Sequence, residues 1–284
     1  MKKAIKKIHQ AVYAPIDDLI TYRAIPTRSI DYLDPFLFLN HHGPQVYGPN
    51  NQGLPFGPHP HRGFETLTFV IKGDIAHFDS SGGESVIEEG GVQWMTAGSG
   101  LIHSEVSSEK FKKYGGEEEV LQLWMNLPAK HKMVKPSYIG LDKDQITHFE
   151  LDNGQVNIDI ISGEWDGNKG PIDSLTGLTL CSILMQTGGN LSIPVPSGHE
   201  VLFYVVKGNL TVNDTVVEKH QLLQFELQDG EIIVNATSDA YIIFGHGKPF
   251  NEPMVAQGPF VMNTKEEIAQ AYQDYRTGKM GVWN

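Results

Sequence analysis

Two short runs carry the side chains best suited to chemistry. In GPHPHRGFETLTFVIKG, Gly57 to Gly73, His59 and His61 stand one residue apart, and in GLIHSEV His103 and Glu105 repeat that spacing. Residues i and i+2 of a strand project to one face, so each run offers a same-face pair of metal-capable groups. Were the two strands paired in one barrel, three neutral nitrogens and one carboxylate oxygen could surround a divalent ion and leave positions for water or substrate. A purely structural zinc site would more often be a closed, cysteine-containing tetrahedron, and the single cysteine, Cys181, cannot supply one. By the same parity Glu65 would join His59 and His61 if their strand stays regular.

An isolated H-x-H is as compatible with a surface turn or a hydrogen-bonded core as with a metal, and it is the second pair that gives the first its meaning. His9, His131, His148 and His220 lie in polar segments. His41-His42 before Gly43, and His77 in DIAHFDS, lack a partner of matched spacing. In the second half only His199-Glu200 and His246 are candidates, without an H-x-H pair, so that half is expected to keep a barrel without the metal.

These residues need strands to hold them, and the punctuation supplies strands. Thirty glycines and 16 prolines divide the 284 residues into short β-branched and aromatic runs such as LTFVIKG, VLQLWMNLP, LTLCSILMQT and AYIIFGHG. Their spacing points to sandwiches or barrels. The exception is NTKEEIAQAYQDYRTGKMG, where Asn263 or Thr264 can cap a helix, Glu266 and Glu267 fill its first turn, and Gly278 stops it. The halves also share a rhythm: Thr68–Gly73 matches Phe203–Gly208 as an apolar run closed by Lys-Gly, so a duplicated barrel is the economical reading. The expected fold is all-β, two barrels in tandem with a short C-terminal helix, divided as residues 1–135 and 136–284.

Composition removes several function classes. With 34 acidic against 22 basic residues and a formal charge of −12, the chain lacks the clustered cations needed to hold nucleic acid by its phosphates. No phosphate loop or dinucleotide fingerprint is present, and no apolar run is long enough to span a membrane. The basic N-terminus MKKAIKKIHQ is followed by no apolar signal core, and Cys181 lies in an apolar run as inert core. The expectation is a cytoplasmic protein.

Gly53, five further residues, His59-Pro60-His61, then Glu65 and Gly73, resemble the first cupin motif, and Gly100-x-x-His103 resembles the core of the second. More narrowly, HPHRGFETLTFVIKG, VQWMTAGSGLIHSE, LQLWMNLPAKHKMVKP and GPFVMNTKEEI are similar to the signature segments of pirin, a bicupin family, from DPFLFLNHHGP at Asp34 to the C-terminal helix. The resemblance implies two cupin β-barrels of jelly-roll type, with Fe(II) in the first only. Its ligands would fall on His59, His61, His103 and Glu105. Ni, Cu or Zn could occupy such a site in isolation. Glu65, a ligand in many cupins, is not one in pirins and becomes a supporting group beside the ligands. HHGP, His41 to Pro44, replaces an acidic residue that many relatives carry near the site's mouth.

Some pirins resemble quercetin 2,3-dioxygenases, which would make the substrate a flavonol-like aromatic and the catalytic base Glu105, with Glu65 as fallback. Phe56, Phe64, Trp94, Met95 and Met125 are candidate walls for such a ring, although core packing explains each as well. Other pirins contact transcription factors or metabolic enzymes with the iron's redox state as a switch, so a regulatory protein with a protein partner is the alternative.

Overall fold

A computed structural model describes residues 1–283. Strands dominate, and the one long helix, Lys265–Arg276, is capped as expected: Thr264 accepts from the Glu267 amide while Glu267 reaches back to the Thr264 amide. That reciprocal pair satisfies two otherwise orphaned donors. Among the described residues, no helix is long and apolar enough to cross a membrane.

The chain forms two compact units, each assembled from three segments. One contains residues 1–12, 23–35 and 144–249, the other residues 13–22, 36–143 and 250–284. The central boundary therefore falls between Lys143 and Asp144. Both termini belong to units other than those a single cut between 135 and 136 would assign them.

Each unit is a sandwich of a seven-stranded and a four-stranded antiparallel sheet, and the two follow the same plan. In the unit holding His59, the four-stranded sheet runs in the order Phe56–His61, Leu101–Val106, Asp74–Asp79, Glu84–Glu88. The centre of its large sheet runs Val92–Thr96, Phe64–Lys72, Gly116–Asn126, Phe36–Tyr47. In the other unit the corresponding runs are Asn190–Val195, Gly230–Ala236, Asn209–Val212, Thr215–Glu218 and Gln221–Phe225, Glu200–Lys207, Ala240–Gly247, Thr179–Met185. This matched strand order is the duplication that the Lys-Gly rhythm announced.

The cores follow from alternation. In the second unit Ile193, Val195, Ile232 and Val234 of the small sheet meet Phe203, Val205, Ile242 and Phe244 of the large one in a single apolar cluster. Cys181 lies in that cluster, fully buried, and burial pushes its thiol up, so it stays protonated as inert core. The first unit's core is more polar, because the same positions carry histidine, threonine, glutamine and glutamate.

Candidate metal site

Phe56–His61 and Leu101–Val106 pair antiparallel with His59 directly opposite His103. This is the pairing the H-x-H argument required. His59, His61 and His103 each offer a ring nitrogen, and these three nitrogens lie within 4.8 Å of one another. The ring centroids stand 4.7 Å (His59–His61), 4.4 Å (His59–His103) and 4.9 Å (His61–His103) apart. His61 and His103 are buried and His59 is half-buried, so the group is open on the His59 side.

Backbone carbonyls orient two of the rings. His59 Nδ1 lies 2.7 Å from the Gly57 carbonyl and His61 Nδ1 lies 3.3 Å from the Pro259 carbonyl. A carbonyl oxygen only accepts, so both Nδ1 atoms carry the proton and both Nε2 atoms present a lone pair. His103 is fully buried, and neither of its ring nitrogens has a hydrogen-bond partner. Burial, then the nearby His61 and His59, holds its pKa well below the usual histidine range, and burial followed by His59 pulls His61 down to about 3. Three convergent imidazoles, two of them held neutral by burial, suit a borderline divalent transition metal, and a buried ring with no partner is an unmet demand that a metal ion would satisfy.

Local sequence explains the placement. Arg62 and Gly63 turn the chain from one sheet to the other between His61 and Phe64. Gly63 has φ +87°, and a Cβ there would lie 2.0 Å from the Val261 carbonyl oxygen, so only glycine fits. Lys132, buried, donates from Nζ to the carbonyls of Gly63 and Val261 and to Asn126 Oδ1. Arg62 adds an ion pair of 2.9 Å with Asp274 on the C-terminal helix. The His61 turn is thus held by residues 37 to 212 positions downstream, as the Pro259 carbonyl also illustrates.

Glu105 lies on the His103 strand but outside the group of three. Its Oε1 accepts from Thr68 Oγ1 at 2.9 Å and its Oε2 from Gln122 Nε2 at 2.5 Å. Gln122 is itself oriented, since its Oε1 takes the Trp124 Nε1 proton at 3.1 Å and leaves its amide protons for Glu105.

Glu65 departs from its expected position for a physical reason. The turn at Arg62-Gly63 ends the strand of His59 and His61, and Glu65 belongs to the large sheet. There its register partners are Thr96 and Met125, and alternation puts these three on the opposite face from Thr68 and Gln122. Glu65 Oε1 accepts from Thr96 Oγ1 and Trp94 Nε1, while Oε2 has no partner, and burial raises its pKa. Parity cannot be carried through a glycine that changes sheets.

The same register sorts the expected walls. Phe64 and Met95 share the Thr68 face, whereas Trp94 and Met125 share the Glu65 face. Phe64 stands 4.9 Å from His61. Phe56 lies 5.1 Å from His42, whose Nδ1 is 2.8 Å from Thr21 Oγ1. His41, on the other face, is 2.9 Å from Glu119. The sequence reading did not name Trp124 or Phe38, and it set His77 aside. Trp124 lies 5.1 Å from His61 and 4.5 Å from Phe64, and Phe38 stacks on Trp124 at 4.6 Å. His77 stacks on Tyr138 at 3.8 Å and stands 5.4 Å from His103. For Trp124 the available signal was its place two residues after Gln122 in LQLWMN; for His77 it was Asp79 two residues on, whose carboxylate lies 3.0 Å from its Nε2.

Comparison with known proteins gives a consistent result. Residues 19–125 match the Pirin family model and residues 180–281 match the model for the Pirin C-terminal cupin domain. A tomato (Solanum lycopersicum) pirin-like protein is 36% identical over 282 residues, covering 98% of this chain and 92% of its own. A Pseudomonas aeruginosa protein whose name gives it a provisional quercetin 2,3-dioxygenase assignment is 36% identical over 265 residues, covering 93% of this chain and 91% of its own. Among solved structures, a quercetin 2,3-dioxygenase from Acinetobacter baumannii superimposes with a TM-score of 0.93 at 35% identity, covering 99% of both chains.

Proposed function

The chain belongs to the pirin family of bicupins, and from that premise we propose that it is a metal-dependent dioxygenase of the quercetin 2,3-dioxygenase type, opening a flavonol-like ring with Fe(II) and O2. The observation that carries this reading is the fully buried His103 with neither ring nitrogen partnered, set against the Nε2 lone pairs of His59 and His61. Glu105, on the same strand, is the proposed fourth ligand. A ferrous ion held there would supply Lewis acidity and an electron path between a bound flavonolate and dioxygen, ending in ring cleavage with loss of carbon monoxide.

The chain's own groups then have separate tasks. Glu105 is the proposed base for the flavonol 3-hydroxyl proton, because its two oxygens are already held in place by Thr68 and Gln122 and either donor can yield to a hydroxyl. Trp124, through Gln122, fixes which way that carboxylate faces. Phe38, Phe64 and Trp124 form an aromatic surface beside His61 that suits a planar ring by offset or edge contacts. The half-buried His59 edge is the proposed side of substrate entry.

The test is anaerobic reconstitution with Fe(II), followed by oxygen uptake and carbon monoxide detection with quercetin. Turnover is expected in the native protein and absent from a His59→Ala, His61→Ala double variant. Equal turnover in both would remove the dioxygenase reading. For Glu105→Gln, kcat is expected to fall about 100-fold or more with metal still bound, as loss of a general base does.

A further inference from the structure

The second unit carries its own cavity, of about 380 Å³, at the end of its barrel. The duplication shows what has changed there. Thr68–Gly73 corresponds to Phe203–Gly208, and both large sheets break register at the same place, before Lys72 and before Lys207. Carried along the strands, that correspondence sets Val201 where Thr66 stands. Thr66 pairs with Trp124 and Val201 with His246; Thr68 pairs with Gln122 and Phe203 with Phe244. His246 therefore occupies the position of Trp124, and Phe244 that of Gln122.

The ligand positions have been replaced as well. On Asn190–Val195 the inward residues are Leu191, Ile193 and Val195, and Ile193 faces Ile232 across the strand pair as His59 faces His103. Ile193, Val195, Ile232 and Val234 thus fill the places of His59, His61, His103 and Glu105, with one additional residue in the turn. All four are buried in one apolar cluster. Where the first barrel has a metal-capable group, the second has hydrocarbon.

One imidazole remains in this cavity's lining. His246 lines it together with Trp165, Phe244, Ile193, Val195 and Thr179. Its Nδ1 lies 2.9 Å from Nδ1 of His199. A single proton shared between these atoms requires one ring to donate and the other to accept. The remaining nitrogen of His246 is then an acceptor in one tautomer and a donor in the other. A hydroxyl group can answer both, whereas an ammonium only donates and a carbonyl only accepts. Burial, and then His199, lowers the His246 pKa to about 4, so the dyad is uncharged near neutrality. Glu164 and Asp166 also line the cavity and disfavour an anion.

We propose that this cavity is a metal-independent binding site for a small uncharged planar aromatic bearing a hydroxyl, with Trp165 against the ring and His246 on the hydroxyl. The volume is within the range of small-ligand pockets, and apolar side chains with a few polar groups among them are their usual lining.

The probe is 2-naphthol, titrated by calorimetry into chelator-treated protein. The His59→Ala, His61→Ala variant separates this site from the first barrel, because it removes the proposed catalytic centre and leaves the cavity intact. One saturable equivalent is expected, unchanged within about twofold in that variant and weakened about tenfold or more by His246→Leu. Pro194→Trp, at an exposed position lining the cavity, is expected to block it while preserving the melting temperature and circular dichroism. Absence of saturable binding would overturn the proposal. So would binding that survives both His246→Leu and Pro194→Trp, or binding lost in the double histidine variant.

Discussion

Glu118 is fully excluded from solvent, and neither of its carboxylate oxygens has a hydrogen-bond partner. Burial, reinforced by the nearby Asp74, pushes its pKa up to about 9. The folded protein therefore keeps a proton that the unfolded chain, with an ordinary carboxyl, releases near pH 4.5. Stability from this group is fully present below that value and falls as pH rises toward 9. Glu118→Gln removes the titration without changing the shape, so the variant is expected to stay within about 1 kcal/mol of the native protein near pH 5 and to exceed it by roughly 4 to 5 kcal/mol near pH 8. Urea unfolding at both pH values measures the difference; a gain that did not grow with pH would refute the assignment. Nothing in GGEEEVLQ marks the second of three glutamates as the buried one. His59, His61 and His103 were legible because two same-face pairs are a rare pattern. Trp124, His77 and Glu118 were not, because their roles depend on which sheet face a register selects.

The turn after His61 is held by elements distant in sequence, and the Arg62–Asp274 pair joins it to the C-terminal helix with both side chains nearly excluded from water. Arg62 also donates from Nε to the Ser99 carbonyl at 2.7 Å. Removing one partner leaves a buried charge uncompensated, so Asp274→Ala is expected to cost about 3 kcal/mol in chemical unfolding. Because Arg62 adjoins a proposed metal ligand, metal affinity should fall about tenfold, the range seen when groups supporting ligands are lost. A stability loss with unchanged metal affinity would separate the helix from the site. The helix, its Thr264 cap and its Gly278 stop were all readable from local residue types. Its attachment to Arg62 was not, since a charge in QDYRTGK gives no sign of a partner 212 residues away.

At the scale of the molecule the two units share one plan but divide the chemistry, with metal-capable side chains inside one barrel and hydrocarbon inside the other. The duplication was visible as a rhythm of Lys-Gly turns, whereas the assignment of both chain ends was not, because local propensity does not say which sheet a terminal strand joins. Metal binding should therefore stabilise unevenly. A ligand that binds only the native state at a thousandfold excess over its Kd adds about 4 kcal/mol, and it adds it to the structure that must open for the ligand to leave. Hydrogen exchange compared between Fe(II)-loaded and chelated protein, under anaerobic conditions, should show slowed amides in Phe56–His61, Leu101–Val106 and Gly116–Asn126. Thr179–Met185 and Glu200–Lys207 should be unchanged, because Ile193, Val195, Ile232 and Val234 offer no ligand in that unit. Equal slowing in both units would contradict a site confined to His59, His61, His103 and Glu105. Slowing confined to the second unit would place the metal at His199 and His246 instead.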